Sequence, residues 1–420
     1  MTEHPVKSNT ADVVIIGGGI LGCCAAYHLQ KLGAGKIILI ERAPALGRQT
    51  SWAGAGFVSL WSTEFLQDFH DMWDSLELEI ERYGLQFYHQ LGTAHDIKLK
   101  AVGMLRLALT SAGAQLQADQ YASAGSMAAP NELELLSPGQ VGQVLPLVET
   151  SRVHSGLYWP TAVQIDPAHT VAAVGRELVA AGVEVYTDAA VTGIKVSQGR
   201  VSGVQTSAGF IATRTVVNAA GAWLNQIGQM AGVALPITPL LAARFVTEPI
   251  PELPAHFPMT ILTDYYDMYL REDGGGLLIG AYDEGVSENR RIFREAPADV
   301  STLPTDMARS AQRLALACAE TFPIFRSIQV KEMRSGLPAY TADGRHFLGQ
   351  AEHVAGFYVV GGDNEAGITH GPGLGKLVAE LVVHNQTSLD VSAYRLDRFN
   401  DKPIKVETIT ELEQVIRPAR

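Results

Sequence analysis

An apolar run, Asp12-Val-Val-Ile-Ile16, ends abruptly in Gly17-Gly18-Gly19-Ile20-Leu21-Gly22, and no other feature narrows the fold as much. A continuous Val/Ile run of this length fits a strand buried on both faces of a parallel sheet. Ile20 to Leu32 then carries helical spacing and Lys36 to Ile40 is a second buried run, so the segment reads as a βαβ unit of about thirty residues. The glycines fit G-x-G-x-x-G between strand and helix: Gly17 allows the tight turn, Gly19 lets the backbone approach a pyrophosphate, and Gly22 lets helix and sheet pack closely. Phosphates there would meet unpaired N–H groups at the positive end of the helix. Glu41 follows the second strand directly, 24 residues beyond Gly17, where a carboxylate accepts both ribose hydroxyls and repels a 2′-phosphate. The bland alternative is a glycine turn beside an ordinary surface glutamate. The succession of strand, turn, helix, strand and acid argues against it. The fingerprint reads as Rossmann-like dinucleotide binding and does not separate FAD from NAD.

At 420 residues the chain exceeds what one core usually organises, so two intimately joined domains are expected. The formal charge is −12 and no run of five like charges occurs, which argues against nucleic acid or an anionic membrane surface and for a small-molecule ligand. Cys23, Cys24 and Cys318 show neither pairing arithmetic nor metal-type spacing; they read as reduced buried thiols in a cytoplasmic protein, and no metal is expected. The stretch Val13 to Leu21 lacks a basic leader and a cleavage site, so it is not read as a signal peptide. No segment reaches the roughly 18 apolar residues of a membrane span. A homo-oligomer is compatible with all of this.

Further along, Phe65 to Leu91 has helical periodicity, and Leu107 to Gln140 reads as surface helices and loops. Ala168 to Ala180 is helical and runs into Gly182. Val183 to Tyr186 is a strand, Gly193 to Gly203 a hairpin turning at Gln198-Gly199, and Thr215 to Ala220 a buried strand. Leu241 to Thr247 and Met268 to Ala281 alternate like strands, the second split by the turn Asp273-Gly274-Gly275-Gly276. Gly356 to Val360 is a buried strand, Gly373 to Val383 is helical, and the charged tail after Tyr394 lies on the surface. Parallel-type segments recur at the start, middle and end, so the expected class is mixed α/β: a nucleotide-binding domain assembled from discontinuous segments, with an inserted domain carrying an antiparallel sheet. The boundaries expected are 10–90, 158–232 and 333–395 for the first domain, 91–157 and 233–332 for the second, and 396–420 for a tail.

Five segments, Asp12–Arg42, Thr50-Ser-Trp-Ala-Gly-Ala-Gly56, Asp166-Pro167 opening a helix, Val216-Val-Asn-Ala-Ala-Gly-Ala-Trp223 and Gly336 to Gly375, resemble the D-amino acid oxidase-type flavoproteins, nearest to glycine oxidase and sarcosine oxidase-like enzymes. The resemblance implies FAD. It carries the cofactor contacts onto Gly17, Gly19, Ile20, Leu21, Gly22, Glu41 and Arg42, and onto Thr50, Ser51, Ala55, Gly56 and Phe57 of the turn that wraps the pyrophosphate. It assigns Val191 to the adenine, Ala220, Gly221 and Trp223 to the return strand, and Gly362, Asp363, Asn364, Glu365, Ala366, Gly367 and Ile368 to the loop and helix start beneath the isoalloxazine, where a helix N-terminus stabilises negative charge. No cysteine lies between Glu332 and Gly375, where covalent-flavin relatives attach the ring, so the FAD is expected to be non-covalent.

The same resemblance implies oxidation of a C–N bond by hydride transfer to flavin N5, chemistry that needs orientation more than acid–base relays. Tyr269 matches the tyrosine that holds the substrate carboxylate. The family arginine after Gly-Leu is Pro338 here, in Gly336-Leu-Pro-Ala-Tyr340, and a second arginine in the flavin loop is Glu365. Another cation must then face a carboxylate. Arg271 is the first candidate, since a strand's period of two puts it on the face of Tyr269; Arg334 and Arg244 rank behind it, and a solvent-facing strand arginine is the plain alternative for Arg271. Tyr265, Tyr266 and Tyr340 are candidates to line the pocket. The displaced carboxylate site suggests room on the amine side for an N-substituted glycine. Three activities stay open: an amine or amino acid oxidase that uses oxygen and releases hydrogen peroxide, a dehydrogenase passing electrons to another acceptor, and a flavin-binding subunit without turnover.

Overall fold

The structure is a computed structural model that describes residues 9–60, 75–262, 268–281, 293, 295–303 and 306–399. Its first sheet has the order Phe347–Gln350, Phe357–Gly361, Val216–Asn218, Val13–Ile16, Ile37–Ile40, Glu184–Tyr186. All neighbours are parallel except the edge strand Phe347–Gln350. The apolar run is continuous because both faces are covered: Val13 and Ile15 pack into one core with Cys23, Cys24 and Leu29, whereas Val14 and Ile16 enter another with Ile38, Ile40 and Leu224. The helix Ile20–Lys31 lies over the first face, between Pro167–Ala180 and the C-terminal helix Gly367–His384.

Local chemistry sets the ends of these elements. Asp166 caps the helix Pro167–Ala180, its carboxylate accepting from the His169 N–H at 2.8 Å, with Pro167 at the first helical position. The strands Val191–Ser197 and Arg200–Thr206 form the expected hairpin, with Gln198 and Gly199 at φ 52° and 70°, the left-handed pair that a two-residue turn requires.

The second sheet has eight strands, in the order Val330–Gly336, Ala242–Thr247, Gly276–Ala281, Met268–Asp273, Met259–Leu262, Met104–Ala108, Ser155–Trp159, Glu134–Leu136. It is antiparallel apart from the pairing of Met259–Leu262 with Met104–Ala108. One face holds Leu105, Leu107, Phe245, Leu270 and Ile279; on the other, Met104, Ile261 and Tyr269 cluster with Ala55 and Phe57.

Two expectations change. The stretch from Leu107 to Gln140 does contain helices, Ser111–Ala124 and Pro138–Val144, but it begins inside a fully buried central strand. Arg106 hides that strand's pattern: its guanidinium is buried and bonded to Gln120, and its carbonyl accepts from Gln117 Nε2 at 2.9 Å. The C-terminal helix starts at Gly367, well before Gly373. Its glycines are there for clearance, since a Cβ on Gly373 would stand 2.8 Å from the Ile80 carbonyl and one on Gly375 would stand 2.7 Å from the Ala25 nitrogen. Of the helix expected over Phe65 to Leu91, Ser75–Ala94 is helical and the earlier part lies outside the described residues, as do Tyr265, Tyr266 and all of the tail from residue 400. The three cysteines are unpaired and buried, and burial pushes each thiol well above its ordinary range, so none is a thiolate at neutral pH.

Candidate cofactor and substrate site

A cleft of about 350 Å³ runs from the carboxyl ends of the parallel strands to the second sheet, within the size range of ligand sites. At its outer end the turn is built by sterics. Gly17 has φ 111°, and a Cβ there would meet the Ala219 carbonyl oxygen at 2.5 Å; one on Gly22 would meet the Gly17 carbonyl oxygen at 1.9 Å. Gly22 therefore stands behind the turn, and Gly17, Gly19, Ile20 and Leu21 line the cleft. The helix has no acidic residue in its first turn, which keeps its amino end positive. The Ile20 N–H donates to Ser51 Oγ at 3.1 Å, tying the second loop to the helix start.

Glu41 is buried and its carboxylate accepts from the Gly18 N–H at 2.7 Å and the Ala43 N–H at 2.8 Å. It holds the glycine turn while facing the cleft, and an ionised carboxylate has acceptor sites for further donors. Beside it Arg42 stacks on Trp223, its guanidinium carbon 3.7 Å from the ring centroid. Burial lowers the pKa of Arg42, against the opposing charges of Glu41 and Asp299, and its Nη2 is a buried donor with no partner among the described residues. An orphaned guanidinium nitrogen in a cleft with a positive helix end is what an anionic dinucleotide would satisfy.

Thr50, Ser51, Ala55, Gly56 and Phe57 line the middle of the cleft with Val191, Ala220, Gly221 and Trp223. Thr50 Oγ1 donates to the Leu337 carbonyl at 3.0 Å, anchoring this loop to the segment before Pro338. Asp363, Asn364, Glu365, Ala366, Gly367 and Ile368 line the opposite wall, and Gly362 supports them from behind. Burial pushes the Asp363 carboxyl up, against the charges of His346 and His370 and backbone hydrogen bonds. Beneath this loop Glu77 accepts from Tyr394 and lies 3.1 Å from His346 Nε2 and 3.3 Å from His370 Nε2, while His346 Nδ1 lies 3.2 Å from the Gly362 carbonyl. That buried network ties the helix Ser75–Ala94 to the loop. Sequence spacing offered no sign of it, because Glu77 is hundreds of residues from His346, His370 and Tyr394.

At the inner end stand Tyr269, Arg244, Ile261, Met104, Pro338 and Glu365. Arg244 Nε donates to the Tyr269 hydroxyl at 2.8 Å, and its Nη2 is 3.8 Å from Glu365 Oε1. The cation beside Tyr269 is thus Arg244, on the strand two places across the sheet. Arg271 and Arg334, the other two expected, are not among the cleft's lining residues. The Met268–Asp273 strand ends at the next turn, so Asp273 takes the Arg271 guanidinium at 2.9 Å, while Arg271 Nη1 also donates to the Glu272 carbonyl at 2.6 Å and Nε to the Ala55 carbonyl. Arg271 braces the cofactor-side loop from behind. Arg334 is held by Glu332 at 3.0 Å and Asp273 at 3.3 Å. The available signal for Arg244 was a lone charge inside the apolar run Leu241 to Thr247.

A parallel sheet with a glycine turn, an acid after its second strand and a cleft closed by a second antiparallel sheet defines a dinucleotide-dependent oxidoreductase. Residues 12–381 match the family described as FAD dependent oxidoreductase (DAO), and the chain belongs to that family. Its cofactor is FAD. Mouse mitochondrial sarcosine dehydrogenase is 31% identical over 409 residues, 95% of this chain but 42% of that protein. Glycine oxidase from Geobacillus kaustophilus is 26% identical, covering 92% of this chain and 97% of the other. The crystal structure of L-proline dehydrogenase from P. horikoshii superposes with a TM-score of 0.81 at 23% identity over 94% of this chain and 99% of that one, which is a likeness of fold. The chain thus spans less than half the length of the mitochondrial relatives it matches. No described helix is long and apolar enough to cross a membrane.

Proposed function

We propose that this chain oxidises the C–N bond of a carboxylate-bearing amine, an amino acid or N-substituted glycine, with oxygen as final acceptor and hydrogen peroxide released. The observation that carries the reading is the Arg244–Tyr269 pair at the inner end of the cleft, where both family arginines are replaced. FAD, when bound, supplies the hydride acceptor and spares the protein any need for a nucleophile. The chain's own residues bind and orient. The helix amino end with Ser51 and Arg42 would hold the diphosphate and Glu41 the ribose, and Asp363 to Ile368 would support the ring. Arg244 and the Tyr269 hydroxyl would take the substrate carboxylate, a charge-assisted contact stronger than a neutral one. Buried Ile261 and Met104, with half-buried Phe57, would exclude water around the reacting carbon. The resulting imine hydrolyses in solution to a carbonyl compound and the smaller amine.

The same reading gives the parallel sheet to the cofactor and the eight-stranded sheet to the substrate, as discontinuous domains, and leaves the FAD uncoupled from any cysteine. A cytoplasmic location belongs to this proposal, supported by the unpaired thiols. A second reading replaces oxygen by a protein or quinone acceptor. Its support is the similarity to a protein named sarcosine dehydrogenase, whose name also points to an N-substituted glycine. Anaerobic addition of an amine panel to the FAD-loaded protein tests the core claim: carboxylate-bearing amines must bleach the flavin, and failure of every one rejects amine oxidation. Peroxide formed under air then separates oxidase from dehydrogenase.

A further inference from the structure

We propose that Glu365 is the amine-recognising group of this site: it receives the substrate's ammonium and takes its proton before the C–H bond breaks. The inference rests on the amine-oxidation reading above and adds a second recognition point to it, so that a zwitterion is gripped by its carboxylate at Arg244–Tyr269 and by its nitrogen at Glu365.

Three observations converge. The backbone at Glu365 has φ 76°, and at Asn364 before it φ 47°. Non-glycine residues are uncommon there and the conformation is strained, so it persists only where the surroundings enforce it. Asn364 supplies that enforcement: its side chain accepts from the Thr341 N–H at 2.9 Å and donates to the carbonyls of Gly344 at 2.7 Å and Gly362 at 2.9 Å. The structure thereby spends strain to aim Glu365 into the cleft, where a glycine would have been the unstrained choice.

The second observation is orientation. Tyr340 donates to Glu365 Oε2 at 2.7 Å and fixes the carboxylate on the inner wall. An ionised carboxylate accepts about four hydrogen bonds, so the tyrosine's bond and an amine N–H are compatible.

The third is the spacing to Arg244. Arg244 Nη2 stands 3.8 Å from Glu365 Oε1 as an ion pair, while its Nε bonds the Tyr269 hydroxyl. Adjacent groups of opposite charge lining one cleft match a ligand that carries both signs.

The chemistry balances. Amino acids with basic nitrogen rest in water as ammonium carboxylates, and only the neutral amine has the lone pair that the new C=N bond needs. The N–H bond breaks, an O–H bond forms on Glu365, and no electrons change hands in that step. The proton leaves to water when product departs.

The test uses FAD-loaded wild type and Glu365→Gln, which preserves shape and the acceptor for Tyr340. Two probes are compared: an N-substituted glycine, its apparent Kd taken from saturation of the anaerobic bleaching rate, and the thioether acid with sulfur in place of nitrogen, its Kd taken from perturbation of the flavin spectrum. A charged hydrogen bond is worth about 1.5–3 kcal/mol, so the variant should weaken the amine by about 10- to 150-fold. The thioether acid should change by less than about threefold. Bleaching by the variant should also rise with pH through the amine's own titration more steeply than in wild type. Equal weakening of both probes would reduce Glu365 to a partner of Arg244, and no change in either would remove it from recognition; both overturn the inference. If the variant does not fold, wild type alone decides, since the amine must bind more tightly than the thioether acid at neutral pH. Wild-type flavin that no amine bleaches rejects the parent reading instead, and this one with it.

Discussion

Replacing Arg244 with methionine should cost far more with substrates that carry a carboxylate than with those that do not. The arginine is 5% exposed, so water screens its charge little, and the hydrogen bond it offers a carboxylate is worth about 1.5–3 kcal/mol. At 1.36 kcal/mol per decade this is roughly a 10- to 150-fold loss in kcat/KM. Tyr269→Phe removes a neutral hydroxyl worth about 0.5–1.5 kcal/mol, or roughly 2- to 12-fold. Because Arg244 Nε and the Tyr269 hydroxyl are bonded at 2.8 Å, the two losses must not multiply; the double variant should fall short of the product by a coupling of about 0.5–3 kcal/mol. The assay is steady-state kcat/KM at matched flavin content, with a carboxylate-bearing amine and its decarboxylated analogue. Wild-type kcat/KM in Arg244→Met, or an equal loss on both substrates, would refute the assignment of the carboxylate to this pair.

Gly22→Ala places a Cβ 1.9 Å from the Gly17 carbonyl oxygen, so the protein should purify without flavin absorbance or fail to fold; a yellow, FAD-loaded variant would show that the turn yields. Burial would raise the Glu77 pKa, but the charges of His346 and His370 and hydrogen bonds from His346 and Tyr394 outweigh it and hold it at about 2, against 4.5 in an ordinary setting. A carboxyl depressed in the folded state contributes stability above its unfolded pKa, here about 3 kcal/mol on the order-of-magnitude scale, and loses it as pH falls from about 4.5 to about 2. Denaturant melts across that window should steepen for wild type and flatten for Glu77→Gln; parallel curves would count against the network. Acid precipitation should leave all of the flavin in the supernatant, and flavin retained on the chain would show a covalent bond.

What sequence determined by itself is the part of the site written in contiguous residues. Strand, glycine turn, helix and Glu41 are local, and a short segment already displays their order; Gly17 takes a φ of 111°, which a glycine adopts freely. The loops at Thr50 to Phe57 and Gly362 to Ile368 were marked instead by the family resemblance, and most of their assigned residues line the cleft. Tertiary structure alone decided which cation faces Tyr269. Period-two reasoning chose Arg271 along one strand, but a guanidinium on a long side chain goes to the nearest carboxylate or carbonyl, and Asp273 and Ala55 capture it, whereas Arg244 arrives from a different strand across the sheet. The central strand Met104–Ala108 and the Glu77–His346–His370 network were hidden likewise, because a buried charge looks like a surface one until folding brings its partner beside it, Gln120 for Arg106 and the distant His346 for Glu77.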